Sequence, residues 1–276
     1  MTDGPPSERF IDAAGHRTHI LEQGIGHPLV LLHGSGPGVS ARSNWADVIP
    51  EFARNFRVIA PDIAGFGYTQ SPDRQAYNIK VWVAHYVGIL DALGIEKASV
   101  VGNSFGGALA LATALSNAHR VDKLILLGTP AGDFEMTEGL KSSWRYEPSK
   151  EAMRRVLSLF PYDKSVITDD MVHVRFEASA RPGAQEAFRK LVAKPNDDGP
   201  TPVKGIPESS LAKVEHSTLV LHGREDRVIP LELGLRLLNA IPNAQLHVFG
   251  RCGHWVQVER KKEFIQLVTQ FAARRA

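Results

Sequence analysis

A serine hydroxyl is a weak nucleophile unless a base takes its proton, and that base needs an acid to orient it. The stretch Gly102-Asn103-Ser104-Phe105-Gly106 fits G-x-S-x-G, in which a strand turns sharply into a helix with the serine at the strained corner. Small residues two before and two after Ser104 let the chain pass closely there. The helix that follows, "GGALALATAL", points its N-terminus at the same spot and favours developing negative charge. In this arrangement the partners come later in the chain, acid first and histidine second. Asp226 in "LVLHGREDRVIP" is the predicted acid, with Glu225 next to it and Asp133 after an earlier strand as alternatives. His254 in "VFGRCGHWVQVE" is the predicted base. With 11 histidines present, His254 stands out only by its order and its place after the last strand. His222 precedes the acid and would reverse that order.

His33 opens a second feature, "LLHGSGPGVSARSNW". It is no dinucleotide fingerprint, because Val39 stands at the third glycine position and Pro37 interrupts, and there is no Walker loop. Read as an H-G-x-G loop, it supplies a backbone N–H, from Ser35 or its neighbour Gly36, to pair with the Phe105 N–H around an oxyanion. Such donors are each worth about 3 kcal/mol in a transition state.

These groups need a scaffold that delivers loops to one edge. Short apolar runs at 28–34, 56–62, 97–103, 121–128, 217–223 and 245–250 lack polar alternation, as strands covered on both faces do. Helical patterns lie between them, at about 44–54, 78–93, 104–118, 231–240 and 259–273. The alternation predicts an α/β fold with a mostly parallel sheet and helices on both sides. "RFIDAAGHRTHILEQG" predicts an antiparallel hairpin at one sheet edge, turning near Gly15. The rhythm breaks at 132–207. That stretch holds Trp144, Tyr146, Phe160, Phe176 and Phe188, with helical patterns in "SKEAMRRVLSLF" and "AQEAFRKLVA" and no clear strand. It is read as a helical lid inserted into a core made of 1–131 and 208–276.

Composition excludes several classes. The 276 residues are 43% hydrophobic and 22% charged, ordinary for a globular domain. A net charge of +2 gives no pull toward nucleic acid or an anionic membrane. The basic runs Arg260-Lys261-Lys262 and Arg274-Arg275 fit a solvated helix face. The single cysteine, Cys252, allows no internal disulfide and fits a reducing compartment. No apolar run approaches the ~20 residues of a membrane span, and the start of the chain lacks a signal pattern. A cytoplasmic protein is expected.

The sequence resembles the α/β-hydrolases, and more narrowly the meta-cleavage product hydrolases, which cut carbon–carbon bonds in aromatic degradation. The likeness rests on "HGSGPGVSARSNW", "RVIAPDIAGFGYT", "VGNSFGGALAL", "HGREDRVIPLE" and "CGHWVQVE", spread from about 28 to 260. It implies a helical lid on the α/β-hydrolase fold and a small-molecule substrate of the 2-hydroxy-6-oxo-hexa-2,4-dienoate type. The products would be 2-hydroxypenta-2,4-dienoate and a carboxylic acid, with no metal or cofactor, and with Ser104 acting either as nucleophile or as a base that activates water toward a gem-diol. It further implies a polar subsite for the substrate's carboxylate and 2-oxo end, made by Asn44, Asn103, Arg175 and Trp255, with Arg181 as the rival arginine. Asn44 serves equally well as a helix N-cap. The family alone implies a homodimer. An esterase on the same fold, or a ligand receptor that keeps the three residues, are the competing readings.

Overall fold

The computed structural model describes residues 4–72, 75–181, 184–185, 189, 194–196 and 199–274. Strand β1 (Ser7–Ala13) and strand β2 (His16–Gln23) form the antiparallel hairpin, turning through Ala14 and Gly15 at φ 49° and 80°. Then come β3 (Pro28–Leu32), the short helices α1 (Ala41–Trp45) and α2 (Ile49–Phe52), β4 (Arg57–Pro61), α3 (Ile79–Ala92), β5 (Ala98–Asn103), α4 (Phe105–Ser116) and β6 (Val121–Leu127). The insertion follows, with β7 (Phe134–Glu135), α5 (Glu138–Trp144), α6 (Lys150–Leu157), α7 (Asp169–Ala180) and β8 (Pro202–Val203). The chain returns through α8 (Glu208–Leu211), β9 (Thr218–Gly223), α9 (Leu231–Ala240), β10 (Ala244–Phe249), α10 (Val256–Glu259) and α11 (Lys261–Ala273).

One eight-stranded sheet has the order β1-β2-β4-β3-β5-β6-β9-β10. From β4 to β10 every pairing is parallel, and the hairpin joins antiparallel through β2. The unbroken apolar runs are explained by two cores. Val30, Leu32, Val100, Leu124 and Leu126 pack with Trp82, Tyr86 and Leu109 on one face. Leu29, Leu31, Val101, Ile125 and Leu127 pack with Trp45, Phe52, Phe264 and Val268 on the other. Successive side chains of a strand point to opposite faces, so a sheet covered twice needs apolar residues at every position. Each fully buried Leu, Ile or Val contributes about 1.5–3 kcal/mol.

One predicted helix is broken. The pattern at 44–54 is two pieces, because Pro50 in the first turn of α2 has no N–H to continue the preceding helix. Ser40 caps α1, accepting from Ser43 N, so Asn44 lies inside the helix and is not its N-cap. The C-terminal pattern at 259–273 forms the single helix α11, preceded by the separate short turn α10. Within the insertion α5, α6 and α7 each start at a hydroxyl cap: Thr137, Ser149 and Thr168 accept from the backbone N–H three residues on. The insertion does contain strands, against expectation: β7 and β8 pair antiparallel and tie its two ends together. Two residues each, one of them Pro202, are too short for any periodicity to register. Phe188 and most of the "AQEAFRKLVA" pattern lie outside the described residues, as does Arg275. Among the described residues no helix is long and apolar enough to cross a membrane, and no group of His, Cys, Asp or Glu is arranged to hold a metal ion.

Candidate active site

Ser104 lies between β5 and α4 at φ 53° and ψ −114°, a strained backbone for a residue with a side chain. The turn is possible because its neighbours lack side chains. A Cβ on Gly102 would come within 2.5 Å of the Gly106 carbonyl, and one on Gly106 within 2.2 Å of the Leu32 carbonyl. Ser104 N donates to Leu127 O at 2.8 Å, which fixes the corner to the end of β6.

The next residue, Gly128, lies against the His254 imidazole and the Asp226 carboxylate. His254 Nδ1 donates to Asp226 Oδ2 at 2.7 Å, and both side chains are shielded from water. Asp226 Oδ1 is held in turn by Val228 N at 2.8 Å and Ile229 N at 2.9 Å. The carboxylate therefore fixes the tautomer, leaving Nε2 on the opposite edge of the ring to accept a proton. Among the described residues no hydrogen bond joins Ser104 Oγ to His254 Nε2. Such contacts commonly close only when substrate is bound.

The alternatives are otherwise engaged. Glu225 accepts from Cys252 N and pairs with Arg224. Asp133 is exposed and pairs with Lys204. His33 is wholly buried, donating from Nδ1 to Gly34 O and accepting at Nε2 from Ile63 N. His222 donates to Ile229 O beneath the acid. Burial pushes both of these imidazoles below the usual histidine range, so they stay neutral.

Phe105 opens α4, where its N–H has no acceptor within the helix. Gly34, at the start of the glycine loop, backs onto Asn103 and the Ser104 side chain. Ser35 and Gly36 follow in the same loop, beyond the end of β3, whose Leu32 pairs with Gly102. The backbone donors and the serine thus share the carboxyl edge of the sheet. Asn103 is buried, its amide 3.5 Å from Leu127 O.

Arg175 is the unusual cation. It projects from α7 and is 7% exposed, with Nε unpartnered and no carboxylate beside it among the described residues. Its guanidinium lies 5.6 Å from the Trp255 ring centre. Burial alone pulls its pKa down to about 10, so it stays charged at neutral pH. An unpaired buried charge is costly, and an anion arriving beside it would relieve that cost. Asn44 Nδ2 is also buried without a partner. Arg181 has its own occupation: it donates to Gly67 O at 2.8 Å and lies over the Tyr68 ring. Trp255 stacks on Phe160, with ring centres 5.1 Å apart.

Two residues of the site's frame were not found from sequence. Phe160 O accepts from His254 N at 2.7 Å. Asp62, fully buried, accepts from Ala41 N, Tyr68 N and His19 Nδ1 and so anchors the start of the helix carrying Asn44. Asp62 stands in the quoted "RVIAPDIAGFGYT" directly after a strand, which was the available signal. Phe160 was one aromatic among several in the insertion.

A serine on a sharp strand–helix turn and an Asp–His pair at the ends of later strands are the arrangement of a hydrolase of the nucleophile–histidine–acid class. Residues 27–261 match the alpha/beta hydrolase fold family. The chain belongs to that family, and within it to the meta-cleavage product hydrolases. It is 49% identical to a 2-hydroxy-6-oxo-2,4-heptadienoate hydrolase of Pseudomonas putida over 96% of each chain. It is 47% identical to a 2-hydroxymuconate semialdehyde hydrolase of a Pseudomonas species, over 98% of this chain and 95% of the relative. Among solved structures it resembles a meta-cleavage product hydrolase from Pseudomonas fluorescens, a serine-to-alanine mutant complexed with acetates. The TM-score is 0.91 at 47% identity, covering 95% of this chain and 96% of the other.

Proposed function

We infer that the protein hydrolyses the C5–C6 bond of 2-hydroxy-6-oxo-hexa-2,4-dienoates, giving 2-hydroxypenta-2,4-dienoate and a carboxylic acid. The observation that carries this reading beyond a general esterase is Arg175, a buried guanidinium with no carboxylate beside it among the described residues, close to Trp255 and the histidine loop. A substrate bearing a carboxylate fits it, because guanidinium and carboxylate pair in a forked, charge-assisted contact.

The dienol first becomes a keto tautomer, with a proton delivered to C5 through His254. Ser104 then attacks the C6 carbonyl as His254 takes its proton, and the Phe105 N–H with that of Ser35 or Gly36 holds the oxyanion. The C–C bond breaks because the departing carbanion is delocalised as a dienolate, which takes the proton held by His254 to leave as 2-hydroxypenta-2,4-dienoate and returns the imidazole to its neutral form. Water, activated by His254, clears the acyl group from Ser104. Asn44, Asn103, Arg175 and Trp255 hold the carboxylate and 2-oxo end. Residues 132–207 serve as the lid over this site and 1–131 with 208–276 as the core. The enzyme works in the cytoplasm, supported by its single cysteine, and as a homodimer, supported by the family alone. The substituent on C6 is hydrogen or methyl, as in the substrates named for the relatives at 49% and 47% identity.

The test is a kinetic series with 6-hydrogen, 6-methyl, 6-isopropyl and 6-phenyl dienoates, followed by loss of the dienolate's visible absorbance. The first two are expected to give the highest kcat/KM, and Ser104→Ala to abolish turnover with the fold intact. Turnover of simple esters alone would favour an esterase. Tight binding of the dienoates without turnover would favour a receptor.

A further inference from the structure

The mechanism leaves unused a carboxylate that bridges the histidine loop and the insertion. Glu259 ends α10, five residues after His254, and is half-buried. Its Oε1 accepts from Gly253 N at 2.8 Å. Its Oε2 accepts from Tyr162 N at 2.7 Å and Asp163 N at 3.3 Å. Neighbouring residues of the same two segments are joined too, since His254 N donates to Phe160 O at 2.7 Å. The turn at 160–163, which leaves α6, is thus bolted to the loop that carries the imidazole. Arg260, next in the chain, donates to Gly250 O and pairs loosely with Glu263, so it does not neutralise the clamp. Burial pushes the Glu259 carboxyl up, and the three N–H groups oppose that shift.

We propose that Glu259 is a positioning residue for catalysis: its two oxygens grip the His254 loop and the base of the insertion at once, fixing the imidazole against Asp226 while tying it to the lid. The two oxygens face donors only. A glutamine can satisfy one side, but its amide NH2 must then meet an N–H on the other. An aspartate keeps the charge but is one methylene too short to reach both sides. Since misplacing a catalytic group by about 1 Å can cost ~100-fold in rate, loosening this loop should act on chemistry more than on binding.

This proposal rests on the dienoate hydrolase reading, so its test carries one readout that needs no substrate. Glu259→Gln, Glu259→Asp and a nearby control, Glu263→Gln, are compared with the unmodified protein. Turnover of the 6-methyl dienoate is measured per folded molecule, and the low-field NMR signal of the His254 Nδ1 proton reports its bond to Asp226. In Glu259→Gln, kcat is expected to fall about 10- to 100-fold with KM within about twofold, and the proton signal to shift or broaden. Glu259→Asp should lie between, and Glu263→Gln should match the unmodified protein. If Glu259→Gln only lowers the melting temperature, with kcat and the proton signal unmoved, the residue is structural and the proposal is overturned. A loss confined to KM would overturn it as well. If the unmodified protein turns over no dienoate but the proton signal responds as expected, the substrate reading fails and the clamp stands.

Discussion

At Arg175 two demands conflict. Folding is harmed by an unpaired cation in a dry place, yet the chain keeps one there with its charge on. Replacing it with glutamine removes the charge and keeps much of the stem. We expect Arg175→Gln to raise KM for the dienoate by at least tenfold, with kcat less affected and thermal stability unchanged or higher. An ester substrate without the carboxylate is the check, because it should lose little. Equal losses on both substrates would show that the arginine supports the lid and not the ligand. The pairing of Asp226 with His254 could be read from the chain because strand ends, turn residues and chain order all constrain it. Arg175 could not be derived that way: nothing in "MVHVRFEAS" separates a buried guanidinium from a solvated one. Its candidacy came from family resemblance, and its burial is a property of how α7 packs.

Between elements, α7 approaches the glycine loop closely. Gly38 sits at φ 66°, and a Cβ there would come within 2.1 Å of the Arg175 carbonyl. The loop proposed to supply an oxyanion donor thus packs directly on the helix that carries Arg175. Gly38→Ala is expected to push the two apart and lower kcat/KM for the dienoate by about 10- to 100-fold, since backbone on both sides leaves no flexible group to yield. A circular dichroism spectrum like that of the unmodified protein, together with the kinetic loss, would place the effect in the site. Near-normal kcat/KM would show that the loop can shift freely. The sequence marked this loop as unusual by its glycine spacing, but which helix it met was a matter of long-range packing. The same holds for β7 with β8 and for the split of the 44–54 pattern. The inner strands β3, β4, β5, β6 and β9 were legible because both their faces are apolar. Two-residue strands, and helices broken by a proline near their start, leave too little periodicity to read.

Across the whole molecule, one sheet gathers groups scattered from the glycine loop to Glu259, and buried histidines fasten its margins. His85 on α3 donates to Thr18 of β2 and accepts from Ala64 N, so it joins the hairpin to the core. His33 and His222 occupy the ends of β3 and β9. Burial lowers the pKa of all three and of His16, and takes His85 from 6.5 to about 3. The folded protein therefore refuses protons that the unfolded chain accepts below pH 6.5. By linkage, stability is fully present above that pH and falls as the solution becomes more acidic, continuing for His85 down to about 3. Each refused proton removes about 1.4 kcal/mol per pH unit. Carboxylates held low, such as Glu22, where the upward push of burial is outweighed by Arg9 and Arg57, act only nearer 4.5 and below. The two windows are separable. Urea midpoints measured from pH 8 to pH 5 should be level down to about pH 7 and then fall with a slope of two or more protons. His85→Gln should start from a lower midpoint and show a slope shallower by about one proton. A flat profile down to pH 5 in the unmodified protein would mean that these imidazoles are protonated, or solvated, in the folded state.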